Sequence, residues 1–267
     1  MRPLLLFPAL ASLTMTAGCR VARDMRDEYV ANRELREATA DLSDRAPEYR
    51  HILGHLDLAF RLRGDDPRFA TRLAGLYLGL GRYQQALPCY EAASRMARGG
   101  YDLEMAVCRL GLGQRDQALR EIDRIMADAG RKRYVGLLAP LQYAVMLNLA
   151  GYTMVDAGVR LPDALEMIEE AVRLAPLEAT FIDSLGWAYY RLGRYQDAAF
   201  HLERAARLLD RDDAEILWHL GAVHARVGQW RRANRELTLA LKLDPDNTRA
   251  RKALERLQRE LPVPARA

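Results

Sequence analysis

Residues 185–198 read Leu-Gly-Trp-Ala-Tyr-Tyr-Arg-Leu-Gly-Arg-Tyr-Gln-Asp-Ala, and the same arrangement of residue types returns 35 positions later, at residues 220–233. The arrangement is also present earlier in the chain, at residues 73–86, and in a weaker form at residues 110–118. Side chains that recur at a near-constant interval of about three dozen residues indicate a fold built from repeated supersecondary units. This spacing predicts an array of similar helix pairs.

The recurring pattern resembles the tetratricopeptide repeat, a helix-turn-helix unit of about 34 residues. In the clearest copy its characteristic places hold Leu185, Gly186, Tyr189, Ala198, Leu202 and Ala205. The resemblance covers roughly residues 67–247, with two degenerate copies followed by three clearer ones. It implies an all-α fold, a right-handed superhelical solenoid of stacked helix-turn-helix repeats closed by a C-terminal capping helix.

Small residues at fixed places predict close contact between the two helices of each repeat. Gly186, Ala198 and Ala205 leave room for a neighbouring helix, and a larger side chain there would force backbone shifts worth about 1–3 kcal/mol. A second set of glycines falls where each first helix should end and is expected to adopt left-handed backbone angles. This second set comprises Gly81, Gly113, Gly193 and Gly228.

The repeat spacing also divides the chain. Ala118 and Ala164 occupy equivalent places but lie 46 positions apart, so about 12 residues are inserted between the second and third repeats. The expected order is a lipoprotein-type signal peptide at 1–18, a charged tether at 19–48, an N-terminal helix at 49–66, two degenerate repeats at 67–131, an insertion at 132–143, three repeats at 144–247, a capping helix at 248–261 and a tail at 262–267.

The N-terminus predicts export. Arg2 precedes an apolar run that is too short to span a bilayer, and the run ends in Thr16-Ala17-Gly18-Cys19. This ending resembles the bacterial lipoprotein signal and implies lipidation of Cys19, although an aliphatic residue is usual where Thr16 stands. Secretion without lipid and a merely hydrophobic N-terminus stay open. Arg20, in place of an Asp, favours the outer membrane, so the expected location is the periplasmic side of the bacterial cell envelope.

Composition and motifs argue against catalysis. The 40 basic and 36 acidic residues are interleaved, leaving a formal charge of +4, which does not indicate nucleic-acid binding. The sequence lacks a Gly-rich phosphate loop and a Ser elbow, and no Cys has a plausible His partner. His51 and His55 are spaced like metal ligands, but Ile52 stands where the zinc-protease pattern needs Glu. We therefore expect no catalytic residue, metal, cofactor or small-molecule substrate.

Two cysteines lie within the repeats. Cys89 and Cys108 fall among apolar neighbours on predicted helices, which favours buried thiols that act as small hydrophobic side chains. A disulfide between them stays open at this stage, because helices of adjacent repeats can bring such positions together.

The resemblance also implies a binding surface. In tetratricopeptide folds the first helices line a concave groove, and the aromatic and Arg side chains placed there are typical of protein-binding hot spots. Carried over by repeat position, the groove residues are Asn148, Tyr152, Asp183, Trp187, Tyr190, Arg191, Trp218, His219 and Arg226. For Trp187 and Trp218, packing between repeats is the alternative to contact with a ligand.

Residues 147–152 and 183–187 resemble the C-terminal repeats of bacterial envelope tetratricopeptide lipoproteins, some of which present substrates to a periplasmic protease. The expected function is a non-catalytic scaffold or adaptor of the cell envelope that holds partner proteins or peptides in the groove. The alternative is an assembly factor of a secretion, pilus or outer-membrane complex.

Overall fold

The computed structural model describes residues 24–40, 49–63, 66–97, 100–134, 136, 138–210 and 212–260, and every regular element in these ranges is an α-helix. Helix α1 covers residues 24–40. The others are α2 (Tyr49–Arg63), α3 (Pro67–Gly79), α4 (Tyr83–Ala97), α5 (Asp102–Gly111), α6 (Arg115–Tyr134), α7 (Pro140–Ala157), α8 (Leu161–Leu174), α9 (Ala179–Arg191), α10 (Tyr195–Arg207), α11 (Ala214–Arg226), α12 (Trp230–Leu243) and α13 (Thr248–Glu260).

Consecutive helices from α3 to α12 pack as five pairs, and each pair packs on the next. Helix α13 covers the last pair by contacting both α11 and α12. Its buried Ala250 and Leu257 complete an apolar surface that the last pair could not cover alone. The predicted all-α solenoid of stacked helix pairs with a capping helix is thereby confirmed.

Glycines set how closely the helices of a pair approach. A Cβ atom built on Gly186 would lie 2.6 Å from Leu202 Cγ, and one on Gly221 would lie 2.6 Å from Leu237 Cγ. A Cβ atom on Gly151 would lie 2.7 Å from Ile168 Cγ1. Each of these glycines belongs to a first helix and faces the large aliphatic residue of the second helix in the same pair. In these three pairs the helices therefore pack so closely that any side chain at the glycine would require neighbouring atoms to shift.

The turns inside the pairs follow one geometry. At Gly193, φ is 78°, and the amide of Arg194 donates to the carbonyl of Tyr189 at 2.9 Å. This is the Schellman ending, which needs a left-handed residue and therefore favours glycine. Gly81, Gly113 and Gly228 also have positive φ, as the sequence pattern predicts.

The predicted insertion at 132–143 overlaps the ends of two helices. Residues 132–134 are the last turn of α6, and residues 140–143 are the first turn of α7. These two helices have 20 and 18 residues, whereas α8 to α12 have 13 or 14. The additional residues therefore lengthen two helices, and α7 extends by one turn beyond the predicted start of its repeat at residue 144.

Part of the segment predicted as a charged tether is folded. Ala31, Leu35 and Ala38 lie on one face of α1 and are fully buried in the same cluster as Ile52 and Leu56 of α2. His55 of α2 contacts buried Glu34 through a hydrogen bond of 2.6 Å. Residues 24–40 are thus joined to the stack by apolar and polar contacts.

The buried apolar residues form two clusters, one built mainly from α1 to α4 and the other from α5 to α13. Cys89 and Cys108 both lie in the first cluster, where they are free thiols rather than a disulfide. Burial raises the pKa of each thiol to about 12, so both stay protonated near neutral pH. This agrees with their interpretation as small hydrophobic side chains.

Some sequence predictions lie outside the described residues, namely the signal peptide at 1–18, the lipidation site Cys19 and the tail at 262–267. Among the helices that the structure does describe, none combines the length and apolar character needed to cross a membrane.

Replacing Gly186 should destabilise the fold. The new methyl group of Gly186→Ala would meet Leu202 at less than contact distance, so we expect a loss of about 1–3 kcal/mol in the free energy of unfolding despite the better helix propensity of Ala. Gly54→Ala is the matched control, because Gly54 lies in α2 with no atom within 4 Å of the added Cβ. The control should be neutral or stabilising by up to about 1 kcal/mol. Urea unfolding measures both, and equal effects would contradict the close-packing explanation.

Candidate partner-binding groove

A concave groove with a volume of about 1070 Å³ runs along the inner side of the stack. Its walls come from the C-terminal end of α3, from α7, and from the first turns of α9 and α11. The turn that leads into α13, residues 244–249, lines it as well. We call this surface the inner groove.

Helix α7 presents aliphatic side chains to the inner groove. Val145 and Leu149 line it, and Leu141 lies on the same helix face one turn earlier. The exposed fractions of Leu141 and Val145 are 59% and 50%, so both side chains are largely open to solvent. We call these three residues the apolar stripe. Leu76 of α3 and Leu80, which directly follows that helix, add further aliphatic surface to the groove.

Carboxylates line another part of the groove. Asp213, Glu215, Asp244 and Asp246 come from the turns before α11 and α13 and from the first turn of α11, and we call them the acidic rim. Asp213 is the N-cap of α11 and accepts hydrogen bonds from the amides of Glu215 and Ile216 at 2.9 and 3.0 Å. Helix N-termini favour acidic caps because their first amides are unpaired and the helix dipole is positive there. The local sequence therefore places negative charge at the groove edge.

Three polar contacts hold the groove walls together. The hydroxyl of Tyr152 in α7 donates to Glu215 in α11 at 2.8 Å. Burial, together with the charges of Glu215 and Asp183, raises the pKa of Tyr152 well above its ordinary value, so the phenol stays protonated and acts as the donor.

The second contact joins α7 to the capping helix. Both oxygens of Asp156 pair with the guanidinium of Arg249, at 2.6 and 2.7 Å. Two parallel N–H to oxygen bonds define this geometry, which is the strongest arrangement for an Arg–carboxylate pair. An ion pair between residues 93 positions apart therefore joins α7 to α13 within the groove lining.

The third contact is buried. Nδ1 of His219 in α11 lies 2.9 Å from Oδ1 of Asp183 in α9, and both residues are almost completely shielded from solvent. Burial by itself lowers the pKa of His219, but the adjacent Asp183 carboxylate outweighs it and the pKa is raised. This pair fixes the relative position of two neighbouring first helices.

The predicted aromatic groove residues lie between the repeats. The Trp187 ring stacks on Tyr190 and on His219, with centroid distances of 4.6 and 4.3 Å, and meets Trp218 edge-on at 4.6 Å. Trp187 and Trp218 are each 5% exposed, and neither lines the inner groove. Both Trp rings therefore pack between the repeats, as in the second of the two interpretations that the sequence leaves open. Their contact with a partner stays a prediction.

The two predicted Arg residues also have partners within the stack. Arg191 donates to the carbonyl oxygen of Asp156 at 3.1 Å, where α7 ends. Arg226 lies over the Tyr195 ring and donates to its hydroxyl at 2.7 Å. Of the nine predicted residues, the structure places Asn148, Tyr152 and Asp183 in the inner groove.

Sequence reasoning misses Leu141 and Val145 of the apolar stripe, as well as the acidic rim. The repeat spacing assigns Leu141 to the insertion, although its spacing of four residues from Val145 and eight from Leu149 is the signal of one helix face. The rim residues lie in the turns between repeats and at the first helical positions, whereas the family positions used for the groove fall within the first helices. In the described part of the chain, His, Cys, Asp and Glu form no group of three or more that could hold a metal ion.

Comparison with known proteins agrees with this architecture. Residues 67–99 and 179–212 each match a family model described as a tetratricopeptide repeat. The chain therefore contains tetratricopeptide repeats, and one match falls on α3 and α4 while the other falls on α9 and α10.

Two curated relatives match part of the chain. A TPR repeat-containing protein of Pseudomonas aeruginosa is 32% identical over 120 residues, which are 45% of this chain and 19% of the relative. Protein O-mannosyl-transferase TMTC1 of Homo sapiens is 26% identical over 193 residues, which are 70% of this chain and 20% of that protein. The chain thus spans about a fifth of the length of these relatives.

Solved structures share the fold. A thermophilic TPR protein of Thermus thermophilus, TTC0263, has a TM-score of 0.55 at 24% identity, over 72% of this chain and 98% of its own. PilW, described as a widely conserved type IV pilus biogenesis factor, has a TM-score of 0.50 at 14% identity, over 84% of this chain and 98% of its own. At these identities the likeness concerns the arrangement of helices.

Truncating Trp187 should affect stability strongly. Trp187→Ala removes a ring that packs against Tyr190, Trp218 and His219, and we expect the free energy of unfolding to fall by about 3–5 kcal/mol. Trp187→Phe keeps an aromatic ring in the stack, so its free energy of unfolding should fall distinctly less. Thermal and urea unfolding of the two variants test this, and a Trp187→Ala protein as stable as the wild type would show that the stack does not support the fold.

Proposed function

We propose that this tetratricopeptide-repeat chain is a non-catalytic scaffold or adaptor that holds a partner protein or peptide in its inner groove. The observation that carries the proposal is the apolar stripe, in which Val145 is half exposed on the groove wall and Leu141, 59% exposed, continues the same face of α7 beyond the wall. Aliphatic surface of this kind, bordered by polar residues, is typical of protein-interaction sites.

The polar residues of the groove support a binding role over a catalytic one. Asp183 is paired with His219, Tyr152 with Glu215, and Arg249 with Asp156, so each contact joins helices to one another. The match to a human O-mannosyl-transferase covers a fifth of that enzyme, and the transferase activity is a property of that protein. We therefore propose that the chain itself performs no reaction.

For its location we propose the periplasmic side of the bacterial cell envelope, with a lipid anchor on Cys19 at the outer membrane. The support is the sequence Thr16-Ala17-Gly18-Cys19 after a short apolar run, together with Arg20 at the following position. Such an anchor would hold the stack near a membrane while leaving the inner groove open to periplasmic proteins.

Mass spectrometry of the mature N-terminus tests the anchor. In a bacterial host with lipoprotein processing, we expect a mature chain that begins at Cys19 and carries acyl groups, and it should partition with membranes. Cys19→Ser should remove the acylation and move the chain out of the membrane fraction. A wild-type chain that keeps Met1, or one that is cleaved without acylation, would contradict the lipid anchor.

The alternative is an assembly factor of a secretion, pilus or outer-membrane complex. The fold-level likeness to PilW brings this role into consideration, since PilW is described as a pilus biogenesis factor. Both roles would use the inner groove. Co-purification separates them, because an adaptor should bring down a protease and varied substrates, whereas an assembly factor should bring down a fixed set of machine components.

A matched pair of variants tests whether the inner groove binds partners. Leu141→Gln with Val145→Gln removes the two exposed members of the apolar stripe, and we expect it to lower recovery of co-purified envelope proteins several-fold. Leu177→Gln with Phe200→Gln is the control, since these apolar residues are 74% and 62% exposed but belong neither to the groove lining nor to the α7 face that carries the stripe. Circular dichroism should show both variants folded. Equal recovery with both would contradict binding in the groove.

A further inference from the structure

We propose that the inner groove selects a partner segment in which Lys or Arg residues stand beside aliphatic residues. The inference rests on the proposed function and adds to it the chemistry of the partner. It depends on two features that share one surface, the apolar stripe of α7 and the acidic rim before α11 and α13.

The charge of the groove is opposite to that of the whole chain. The chain carries a formal charge of +4, yet the charged residues of the groove are six acids and two arginines. They are Asp156, Asp183, Asp213, Glu215, Asp244, Asp246, Arg82 and Arg249. Arg249 is engaged with Asp156 and His219 with Asp183, which leaves Asp213, Glu215, Asp244 and Asp246 against Arg82 in the groove lining.

On the outer surfaces, several acidic residues form ion pairs with Arg. Arg160 bridges Asp123 and Asp163, and Arg194 pairs with Asp197. In contrast, no described Arg or Lys forms an ion pair with Asp213, Glu215 or Asp244. The hydrogen bonds to these carboxylates come from backbone amides, from the Asn247 side chain and from the Tyr152 hydroxyl, and Glu215 also lies 3.6 Å from Nε2 of His219. Within the described residues, no ion pair involves Asp213 or Asp244.

The rim carboxylates also repel one another electrostatically. Burial raises the pKa of Asp244, and the nearby charges of Asp246 and Glu215 raise it further. A concave surface lined by charges of one sign concentrates the electric field and attracts oppositely charged groups. A Lys or Arg side chain of a partner would relieve this repulsion, whereas an acidic side chain would increase it.

The remaining groove surface fits the rest of such a segment. Val145, Leu149 and Leu80 offer aliphatic contacts for the partner's apolar residues. Oδ1 of Asn148, on the same helix face, is shielded from solvent and has no hydrogen-bond donor within the described residues. It can accept a bond from a peptide amide or a Lys ammonium group, which would satisfy an atom that the fold leaves unpaired.

Peptide binding to the purified mature chain tests the charge preference. The probes are a fluorescein-labelled peptide of Leu, Lys and Ser, a second in which Glu replaces Lys, and a third in which Ser replaces Leu. Fluorescence anisotropy should show saturable binding of the first peptide, weakened by added NaCl, and binding at least roughly tenfold weaker for each of the others.

Two double variants that remove the same amount of charge test whether the charge preference arises in the groove. Glu215→Gln with Asp244→Asn keeps the hydrogen-bond acceptors of both residues but removes their charges, and should weaken binding of the Lys peptide roughly tenfold. Glu166→Gln with Glu255→Gln changes the net charge equally at exposed positions outside the groove and should leave affinity unchanged.

The outcomes separate this inference from the proposed function. If the Glu and Lys peptides bind equally and both lose affinity in Leu141→Gln with Val145→Gln, the groove binds protein segments but the charge preference is wrong. An equal loss in the two charge-matched variants would show a general electrostatic effect and would also overturn the inference. If no peptide binds and partner recovery is insensitive to the stripe variant, the proposed function fails as well.

Discussion

The absence of a side chain at Gly151, Gly186 and Gly221 is the constraint on which the rest of the structure depends. Each glycine lets the aliphatic side chain of Ile168, Leu202 or Leu237 approach within a distance that a Cβ atom would forbid. Because the contact recurs in three consecutive pairs, α7 to α12 stack with similar geometry. Regular stacking brings the same face of α7, α9 and α11 to one side, where it forms the inner groove.

The inner groove is built from elements with different tasks. Residues in the middle of α9 and α11 stabilise the stack, as the buried contacts among Trp187, Trp218 and His219 show. Residues at the helix N-termini and in the turns carry the charge, since acidic side chains satisfy the first amides there. The lengthened α7 supplies the exposed aliphatic surface. Stability and recognition therefore use separate residues on the same helices.

Much of the fold follows from the sequence because its signals are local. Gly186 with Leu202, and the left-handed glycines such as Gly193, can be identified from spacing alone. The groove residues were harder to predict because side-chain direction depends on how tightly successive pairs stack. Trp187 meets Trp218 of the next pair and is buried, although its repeat position indicated the concave surface. The contact between Arg249 and Asp156 joins helices that are far apart in sequence, and no repeat pattern contains it.

That contact also limits how far the stack can change its curvature. Arg249 is about half exposed but Asp156 is only 19% exposed, and two parallel bonds give the geometry in which Arg–carboxylate pairs do contribute to stability. Because the pair crosses from the third helix pair to the capping helix, opening this side of the stack would have to break it. A partner would therefore meet a groove whose width is set before binding.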